Sequence, residues 1–286
     1  MPELPEVETI ARGLALRYPG RVLSGARVKH ADMLAPPLTA SKLGRRLKDR
    51  RIERVGRFGK NVLIEMDSEL RLLINLGMTG RLVPADAAGA AALRHVAVAF
   101  TFRDAPDILF DDVRRFGRVE LHDAASWETR AAQIGVDPFD PSFGPLDMHR
   151  LTKTSATPIR NWLLDQRRIA GVGNIYASEA LFRARIHPAR RARTLTRAEA
   201  GALLEELRTV LQTAIDARGT TMNDYLDAEG EAGDYWDQRL AYAREGEVCP
   251  RCETPIRRIV ISNRSAFFCP FCQPRSGRRP NVSAEP

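Results

Sequence analysis

The sequence lacks long apolar runs and has few cysteines. No stretch of about 18 consecutive apolar residues occurs among its 286 residues, which argues against a membrane-spanning helix. Its first residues are acidic and follow a helical pattern, unlike a secretory signal peptide, so we expect a cytoplasmic protein. All four cysteines lie between residues 249 and 272, and no internal repeat is visible.

Acidic residues are fewer than basic ones. The chain has 36 Asp and Glu against 44 Lys and Arg, and this net charge of +8 favours a polyanionic partner only weakly, because many basic proteins bind none. Nine basic residues and two acidic ones lie in residues 42–60. A second cluster consists of Arg183, Arg185, Arg190, Arg191 and Arg193. Each cluster fits either a solvated surface or an edge that faces phosphates.

The periodicity of apolar residues changes along the chain. Residues 22–143 read mostly as strands, with alternating or β-branched runs at 71–76 and 95–102, and residues 84–92 read as a loop. After about residue 146 a helical period predicts helices at 158–164, 175–182, 197–218 and 221–226. Several strands after one N-terminal helix favour a β-sandwich, so we expect an α+β protein of more than one domain.

The cysteines form two C-x2-C pairs, Cys249 with Cys252 and Cys269 with Cys272, separated by 16 residues. Four such thiolates form a closed tetrahedral site for one structural Zn²⁺ ion, whereas two disulfides are the alternative that a cytoplasmic chain disfavours. Between the pairs, residues 254–268 alternate as a β-hairpin does, with Asn263 and Arg264 at the expected turn. An arginine at a hairpin tip is well placed to reach a phosphate.

The first residues combine a proline with carboxylates. If Met1 is removed, Pro2 carries a free secondary amine beside Glu3, and a neutral amine next to a proton-transferring carboxylate suits covalent attack on a sugar carbon. The same residues also fit an ordinary helix start, because Pro5 and Glu6 are typical of a first turn and apolar residues follow at helical spacing. Both interpretations can hold together.

Three further motifs carry glycine, aromatic or basic residues. Residues 171–176 (GVGNIY) lead into a predicted helix, which fits an anion site or a plain helix connector. Residues 76–80 (LGMTG) place Met78 in a glycine-flanked turn, and residues 112–117 (DVRRFG) place Arg114 two residues before Phe116. Ordinary packing in a core fits Met78 and Phe116.

Together, these segments resemble the bacterial formamidopyrimidine-DNA glycosylase (Fpg/MutM) family of the Fpg/Nei group. The resemblance includes the opening MPELPEVET, Lys60 within RFGK, the GVGN turn and the zinc hairpin, and it covers residues 1–273. It implies a catalytic β-sandwich domain (1–136), a linker (137–147), a helix-two-turn-helix domain (148–240), a zinc finger (241–273) and a disordered tail (274–286). Within the helical domain it implies a lid over the lesion at 227–236.

The resemblance also implies the activity: a bifunctional glycosylase and abasic-site lyase that excises oxidised purines from duplex DNA through a Schiff base on Pro2, with β,δ-elimination. The implied catalytic residues are Pro2, Glu3, Lys60 and Arg264. The implied DNA contacts are Met78, His95, Arg114, Phe116, Asn174 and Arg264, with DNA in the cleft between the domains. The partner is damaged double-stranded DNA, the only cofactor is zinc, and we expect a monomer at the bacterial nucleoid.

The chain departs from the family pattern in places, and two other functions stay open. Asn75 stands where the family usually has a histidine, so one phosphate contact is in question, and the tail is longer than usual. An endonuclease VIII-like enzyme for oxidised pyrimidines shares the Pro2 and Glu3 chemistry, although its usual opening is MPEGPE. A non-catalytic DNA-damage binding protein would result if Met1 were retained.

Overall fold

The computed structural model describes residues 2–220 and 233–275. By its internal contacts the chain divides into two compact units. The first unit consists of Met1–Gln133 and Ala214–Trp236, and the second unit consists of Ile134–Thr213 and Asp237–Pro286. The segment predicted as a helical domain at 148–240 therefore contributes to both units, and the predicted domain boundaries stay predictions.

Seven α-helices lie in the described residues. They are α1 (Leu4–Ala15), α2 (Ala40–Leu47), α3 (Ala124–Ala131), α4 (Pro145–Lys153), α5 (Ile159–Leu164), α6 (Asn174–Arg183) and α7 (Arg197–Asp216). Short 3-10 helices occupy Ala31–Met33, Ala88–Ala92, Ala192–Thr194 and Tyr235–Gln238. None of the helices in the described ranges is long and apolar enough to cross a membrane.

Ten strands form three antiparallel sheets in the described residues. They are β1 (Leu23–Val28), β2 (Ile52–Phe58), β3 (Asn61–Met66), β4 (Leu70–Asn75), β5 (Arg81–Pro84), β6 (Val96–Phe102), β7 (Ile108–Asp111), β8 (Arg118–His122), β9 (Arg257–Ile261) and β10 (Arg264–Phe268). Two sheets have four strands each, in the orders β1-β6-β7-β5 and β2-β3-β4-β8, and the third is the β9-β10 hairpin.

The first unit is the β-sandwich that the sequence predicts. Its core contains buried side chains from both four-stranded sheets and from α1, which packs on β2 and β3. Helix α1 follows from its pattern: Pro5 lies in the first turn, and Val7, Ile10 and Leu14 are completely buried on one face. The packing of this face against the sheet fixes where the chain begins relative to the strands.

The second unit is helical and carries the hairpin. Helix α6 is buried at every position from Ile175 to Phe182, so it is a central helix rather than an amphipathic surface one. It packs against α5 on one side and against β10 on another. The hairpin turn is formed by Ser262 and Asn263, which both have positive φ angles, as a two-residue turn of this twist requires.

Most predicted elements agree with the structure in position, but residues 22–143, predicted as mostly strands, also contain the helices α2 and α3. The predicted strand at 71–76 is Leu70–Asn75, and the predicted helix at 175–182 is Asn174–Arg183. The predicted loop at 84–92 contains the 3-10 turn Ala88–Ala92. Arg264 begins β10 instead of lying in the turn, because Ser262 and Asn263 alone close it. The predicted helix at 221–226 lies outside the described residues.

Candidate active site and nucleic-acid interface

The start of α1 is held by one carboxylate. Pro2 and Glu3 are buried, and Glu6 accepts a hydrogen bond from the backbone N–H of Glu3 at 2.8 Å through Oε2. The other oxygen of Glu6 accepts from the backbone N–H of Thr220 at 2.7 Å. From the sequence, Glu6 was predicted only as a typical residue of a first helical turn. Its second partner lies 214 positions away along the chain, a contact that no local pattern reveals.

The turn that carries Lys60 joins β2 to β3 and is tied to the same helix. Gly59 supplies the positive φ angle of +60° that this turn requires. On β2, the Nε of Arg57 donates to Glu8 of α1 at 3.0 Å, and its Nη1 donates to the carbonyl of Gly59 at 3.2 Å. The side chain of Arg57 is only 8% exposed, so this ion pair is largely shielded from water. The helix that bears Pro2 and Glu3 is therefore linked to the turn of Lys60.

Asn75, at the end of β4, connects two of the predicted DNA-contacting turns. Its Nδ2 donates to the carbonyl of Lys60 at 3.3 Å and to Oδ1 of Asn61 at 3.0 Å. Its Oδ1 accepts from the backbone N–H of Gly77 at 3.0 Å, in the turn that carries Met78. Both ends of the amide therefore have protein partners. Asn75 organises the turns, a role that the sequence analysis did not assign to it.

Met78, Arg114 and Phe116 lie on two loops that touch. Met78 is 42% exposed and Phe116 is 52% exposed, so neither side chain packs in the core. The guanidinium of Arg114 lies over the ring of Phe116, 4.6 Å from its centroid. Gly77 has a φ of +60°, and a Cβ there would lie 2.6 Å from the backbone nitrogen of Gly117. Only glycine permits this approach of the two loops.

A buried carboxylate holds these two loops together. Asp112 is 1% exposed, and its Oδ1 accepts from the hydroxyl of Thr79 at 2.5 Å and from the backbone N–H of Arg114 at 3.2 Å. Its Oδ2 accepts from the backbone N–H of Gly117 at 2.8 Å. No role for Asp112 was predicted from the DVRRFG motif. Its burial and its hydrogen bonds to both loops identify it as the residue that holds them together.

His95 lies next to the same loop. It directly precedes β6 with an exposed side chain, and its backbone N–H donates to Oδ1 of Asp111 at 2.5 Å. Its carbonyl accepts from the backbone N–H of Asp112 at 3.2 Å. The structure therefore places His95 beside the loop of Arg114 and Phe116. The side chain of Asp111 and the backbone N–H of Asp112 hold the backbone of His95 there.

In the second unit, Asn174 and the hairpin meet. Asn174 is the first residue of α6, and the preceding glycine turn is held by Gln166, which donates to the carbonyl of Val172 and accepts from the N–H of Gly171. The Nδ2 of Asn174 donates to the carbonyl of Ser265 in β10 at 3.1 Å. Arg264, the neighbour of Ser265, is exposed. These two predicted phosphate contacts therefore lie on adjoining elements.

The four cysteines converge at the other end of the hairpin. Their sulfur atoms all lie within 4.8 Å of one another, and none of the four forms a disulfide. A tetrahedral zinc site with Zn–S bonds of about 2.3 Å needs sulfurs about 3.8 Å apart, and the pair Cys249–Cys272 is at 4.0 Å while Cys252–Cys269 is at 3.4 Å. Four thiolates this close together repel one another, so a cation is needed to hold them in place.

Comparison with known proteins covers nearly the whole chain. Family models match residues 1–119 (formamidopyrimidine-DNA glycosylase N-terminal domain), 134–225 (the H2TH domain of the same enzymes) and 246–275 (zinc finger found in FPG and IleRS). The chain belongs to the formamidopyrimidine-DNA glycosylase family. Enzymes of this family are DNA glycosylases with abasic-site lyase activity, and the chain is a DNA-binding repair enzyme of this class. Its four cysteines form the structural site for one zinc ion.

Individual relatives agree over their full length. The chain is 44% identical to the formamidopyrimidine-DNA glycosylase of Thermomicrobium roseum, covering 96% of this chain and 99% of that one. It is 43% identical to that of Chloroflexus aggregans, with 96% and 98% covered. Among solved structures, MutM from Thermus thermophilus is 36% identical, with a TM-score of 0.83 and coverage of 95% and 98%. The Lactococcus lactis enzyme in complex with DNA containing an abasic site is 30% identical, with a TM-score of 0.84 and coverage of 95% and 99%.

Basic clusters in this glycosylase are partly used within the protein. In the first cluster, Arg46, Arg50, Arg54 and Arg57 each lie within 4 Å of a carboxylate. In the second, Arg190 forms a bidentate pair with Glu199. These arginines therefore form ion pairs within the protein, a use that differs from both predicted ones, a solvated surface and an edge that faces phosphates. Intramolecular pairing lowers the number of cations that remain for DNA.

Two predicted regions lie outside the described residues. The predicted lid of the glycosylase at 227–236 is described only from residue 233 onward, and the predicted tail at 274–286 only up to residue 275. Gly233 itself packs closely, because a Cβ there would meet the carbonyl oxygen of Gly219 at 2.3 Å. The recognition role given to the lid stays a prediction.

Proposed function

We propose that this chain excises oxidised purines, 8-oxoguanine and formamidopyrimidines, from duplex DNA and then cleaves the strand at the resulting abasic site. The observation that carries the proposal is the buried terminus: Pro2 and Glu3 start a helix whose position is fixed by Glu6 and by packing on β2 and β3. Two similar structures support the substrate class. One is MutM bound to DNA containing carbocyclic 8-oxo-G, and the other is a Lactococcus lactis Fpg variant bound to Fapy-dG DNA.

The proposed chemistry begins at the nitrogen of Pro2. With Met1 removed, this amine attacks C1′ of the extruded nucleotide, a C–N bond forms, and the bond from C1′ to the damaged base breaks as the base leaves with a proton. Glu3 transfers protons at the sugar. The sugar ring opens to an iminium, β- and then δ-elimination break the bonds to the 3′ and 5′ phosphates, and water releases the sugar fragment from Pro2. The zinc ion has four sulfur ligands and no open position, so its role is structural.

In the proposed function, residues from each unit contact DNA. Lys60, His95, Asn174 and Arg264 contact phosphates, because each is a cationic or hydrogen-bonding side chain on a turn or an element end. Met78, Arg114 and Phe116 fill the gap that the extruded nucleotide leaves, and Arg114 pairs with the orphaned base. The exposure of Met78 and Phe116 supports this use. We place the enzyme, as a monomer, at the nucleoid of a bacterial cytoplasm.

Borohydride trapping tests the covalent step. Reduction during turnover on 8-oxoguanine duplex should give a DNA adduct on the N-terminal peptide, and an adduct found only on a lysine would refute the role of Pro2. Glu3→Gln should abolish base excision and leave DNA binding within a few fold of wild type. Glu53→Gln, on the exposed face of β2, is the matched control and should change neither. Intact-mass measurement of the same sample establishes whether Met1 is absent.

A comparison of substrates tests the specificity. Turnover should be faster on 8-oxoguanine and formamidopyrimidine duplexes than on thymine glycol duplexes. Faster turnover on thymine glycol would favour the endonuclease VIII-like alternative and contradict the proposed substrate class, although the Pro2 chemistry would stand.

A further inference from the structure

Arg160, on α5, is a buried cation in the second unit. Its side chain is 1% exposed, and a charge in such a place is costly unless it is well hydrogen-bonded. Four oxygens accept from its two terminal nitrogens, and none of these four belongs to a carboxylate. Nη1 donates to Oδ1 of Asn161 at 3.0 Å and to the carbonyl of Ile261 at 3.3 Å. Nη2 donates to Oδ1 of Asn174 at 2.6 Å and to the carbonyl of Ser265 at 3.1 Å.

Apart from Asn161, which is on α5 itself, these partners belong to three other elements: α6, β9 and β10. One guanidinium joins α5 to the first residue of α6 and to both strands of the hairpin, on either side of its turn. The two hairpin carbonyls that Arg160 holds, those of Ile261 and Ser265, flank Arg264 and the turn. The Nδ2 of Asn161 adds a bond to the hydroxyl of Ser262 at 2.8 Å. The tip of the hairpin is therefore fixed to the helices through polar bonds.

The hairpin needs such an anchor. An isolated two-stranded hairpin is marginally stable in water. The zinc site fixes the end that carries Cys252 and Cys269, which is the far end from the turn. Near the turn, Arg160, Leu164 and Arg264 help to line an open pocket of about 270 Å³ on the protein surface. Hydrogen bonds from α5 and α6 hold the hairpin at this end.

We propose that Arg160 is a positioning residue for DNA binding, which fixes Asn174 and Arg264 relative to each other so that both reach phosphates of one bound strand. The proposal rests on the phosphate-binding roles given above to those two residues. A planar guanidinium with fixed donor directions is suited to this, because it holds several acceptors in one geometry. Preorganised contacts avoid the cost of ordering a side chain and a hairpin tip when DNA arrives.

The test replaces the guanidinium and measures DNA binding by the full-length protein with zinc bound. Arg160→Met keeps the length of the side chain and removes its donors. We expect about 10- to 100-fold weaker binding to a duplex with an abasic-site analogue, with zinc content and the single-turnover rate on saturating DNA little changed. The slope of log affinity against log salt should fall by about 0.9, the contribution of one cationic contact, because Arg264 loses its phosphate and Asn174 is uncharged. A residue with a purely structural role would not change this slope.

Arg208→Met is the matched control. Arg208, on α7, also donates to carbonyls, those of Pro138, Asp140 and Phe143, but it contacts neither the hairpin nor α6 in these bonds. Its replacement should lower stability and leave affinity and salt slope unchanged. Arg160→Lys should recover only part of the affinity, because an ammonium can still donate to Asn174 and Ser265 but cannot hold all four acceptors in one plane. Should Arg160→Met lose zinc, Arg160→Gln, which keeps one donor group, takes its place.

Double substitutions separate this inference from the function on which it rests. In an Asn174→Ala, Arg264→Ala background, Arg160→Met should weaken binding by less than threefold, because the residues through which it acts are gone. A full additional loss in that background, or no loss in the single variant, would refute the positioning role. If Asn174→Ala and Arg264→Ala themselves leave affinity and salt slope unchanged, the proposed phosphate contacts are wrong instead.

Discussion

Asp112 is the residue whose replacement should best separate nucleotide extrusion from chemistry. Asp112→Asn keeps the size of the side chain but turns one acceptor oxygen into a donor. The amide nitrogen fits best at the site of Oδ1, where the hydroxyl of Thr79 can rotate and accept. The N–H of Arg114 then loses the carboxylate and keeps only its 3.3 Å contact with the Thr79 hydroxyl. The oxygen at the other site still accepts from Gly117, now without the negative charge.

The magnitude follows from those three bonds. Hydrogen bonds to charged groups contribute about 1.5–3 kcal/mol and those between neutral groups about 0.5–1.5 kcal/mol, and relief of burying a charge offsets part of the loss. We therefore expect Asp112→Asn to destabilise the touching loops by about 2 kcal/mol. At 1.4 kcal/mol per factor of ten, the upper limit of the effect on a step that needs both loops in place is about 30-fold.

The assay compares two substrates under single-turnover conditions. Excision of 8-oxoguanine from duplex DNA should slow toward that limit, because Met78, Arg114 and Phe116 are no longer held as a set. Strand cleavage at a preformed abasic site in single-stranded DNA should be unchanged, because no duplex gap needs filling. Ile64→Val, in the core of β3, is the control, since it costs about 1 kcal/mol without touching either loop. Equal slowing of both substrates, or full excision despite lowered stability, would refute the reasoning.

Three further outcomes are expected. Cys252→Ser should release zinc and weaken DNA binding together, as metal analysis and a binding isotherm can show, and full affinity without zinc would contradict this. Glu6→Gln should slow borohydride trapping at an abasic site more than it weakens binding, since one of the N–H groups of Glu3 and Thr220 loses its acceptor; equal effects would argue against it. Burial raises the pKa of Tyr18 from 10.0 to about 12, so the folded state keeps a proton that the unfolded state loses, and stability should fall as pH rises through this window. Tyr18→Phe should flatten that fall in urea unfolding between pH 10 and 12, and an unchanged slope would assign it to other groups.

Local patterns in the sequence were enough for α1 and for the metal site, although not for α2 and α3, which lie in a region predicted as mostly strands. The spacing of Val7, Ile10 and Leu14 predicts α1, and all three are buried. The two C-x2-C pairs predict the zinc site, because each pair is a tight knuckle and the hairpin between them brings the knuckles together. In each case the residues that matter lie close together in sequence, so the pattern can be read without knowing the fold.

The side chains that hold the site were not predictable in this way. Glu6 reaches Thr220, Asp112 reaches Thr79 33 positions away, and Arg160 reaches carbonyls 101 and 105 positions away. A buried charge of this kind has no periodic signature, because its partners are set by tertiary packing and its own neighbours in sequence are ordinary. Only the burial of a carboxylate or guanidinium together with backbone donors or acceptors identifies it.

The position of Asn75 in its sheet explains why the Lys60 turn, the Gly77 turn and the loop of Arg114 and Phe116 lie close together. β4 is an inner strand of its sheet, and in the register Asn75 pairs with Asn61 of β3 on one side and with Arg118 of β8 on the other. The Lys60 turn precedes Asn61, and the loop that carries Arg114 and Phe116 precedes Arg118. Because antiparallel neighbours bring these positions to the same end of the sheet, the side-chain amide of Asn75 can bond the Lys60 carbonyl and the Gly77 N–H together. The amide of Asn75 therefore fixes the arrangement of the Lys60 turn and the Gly77 turn relative to each other.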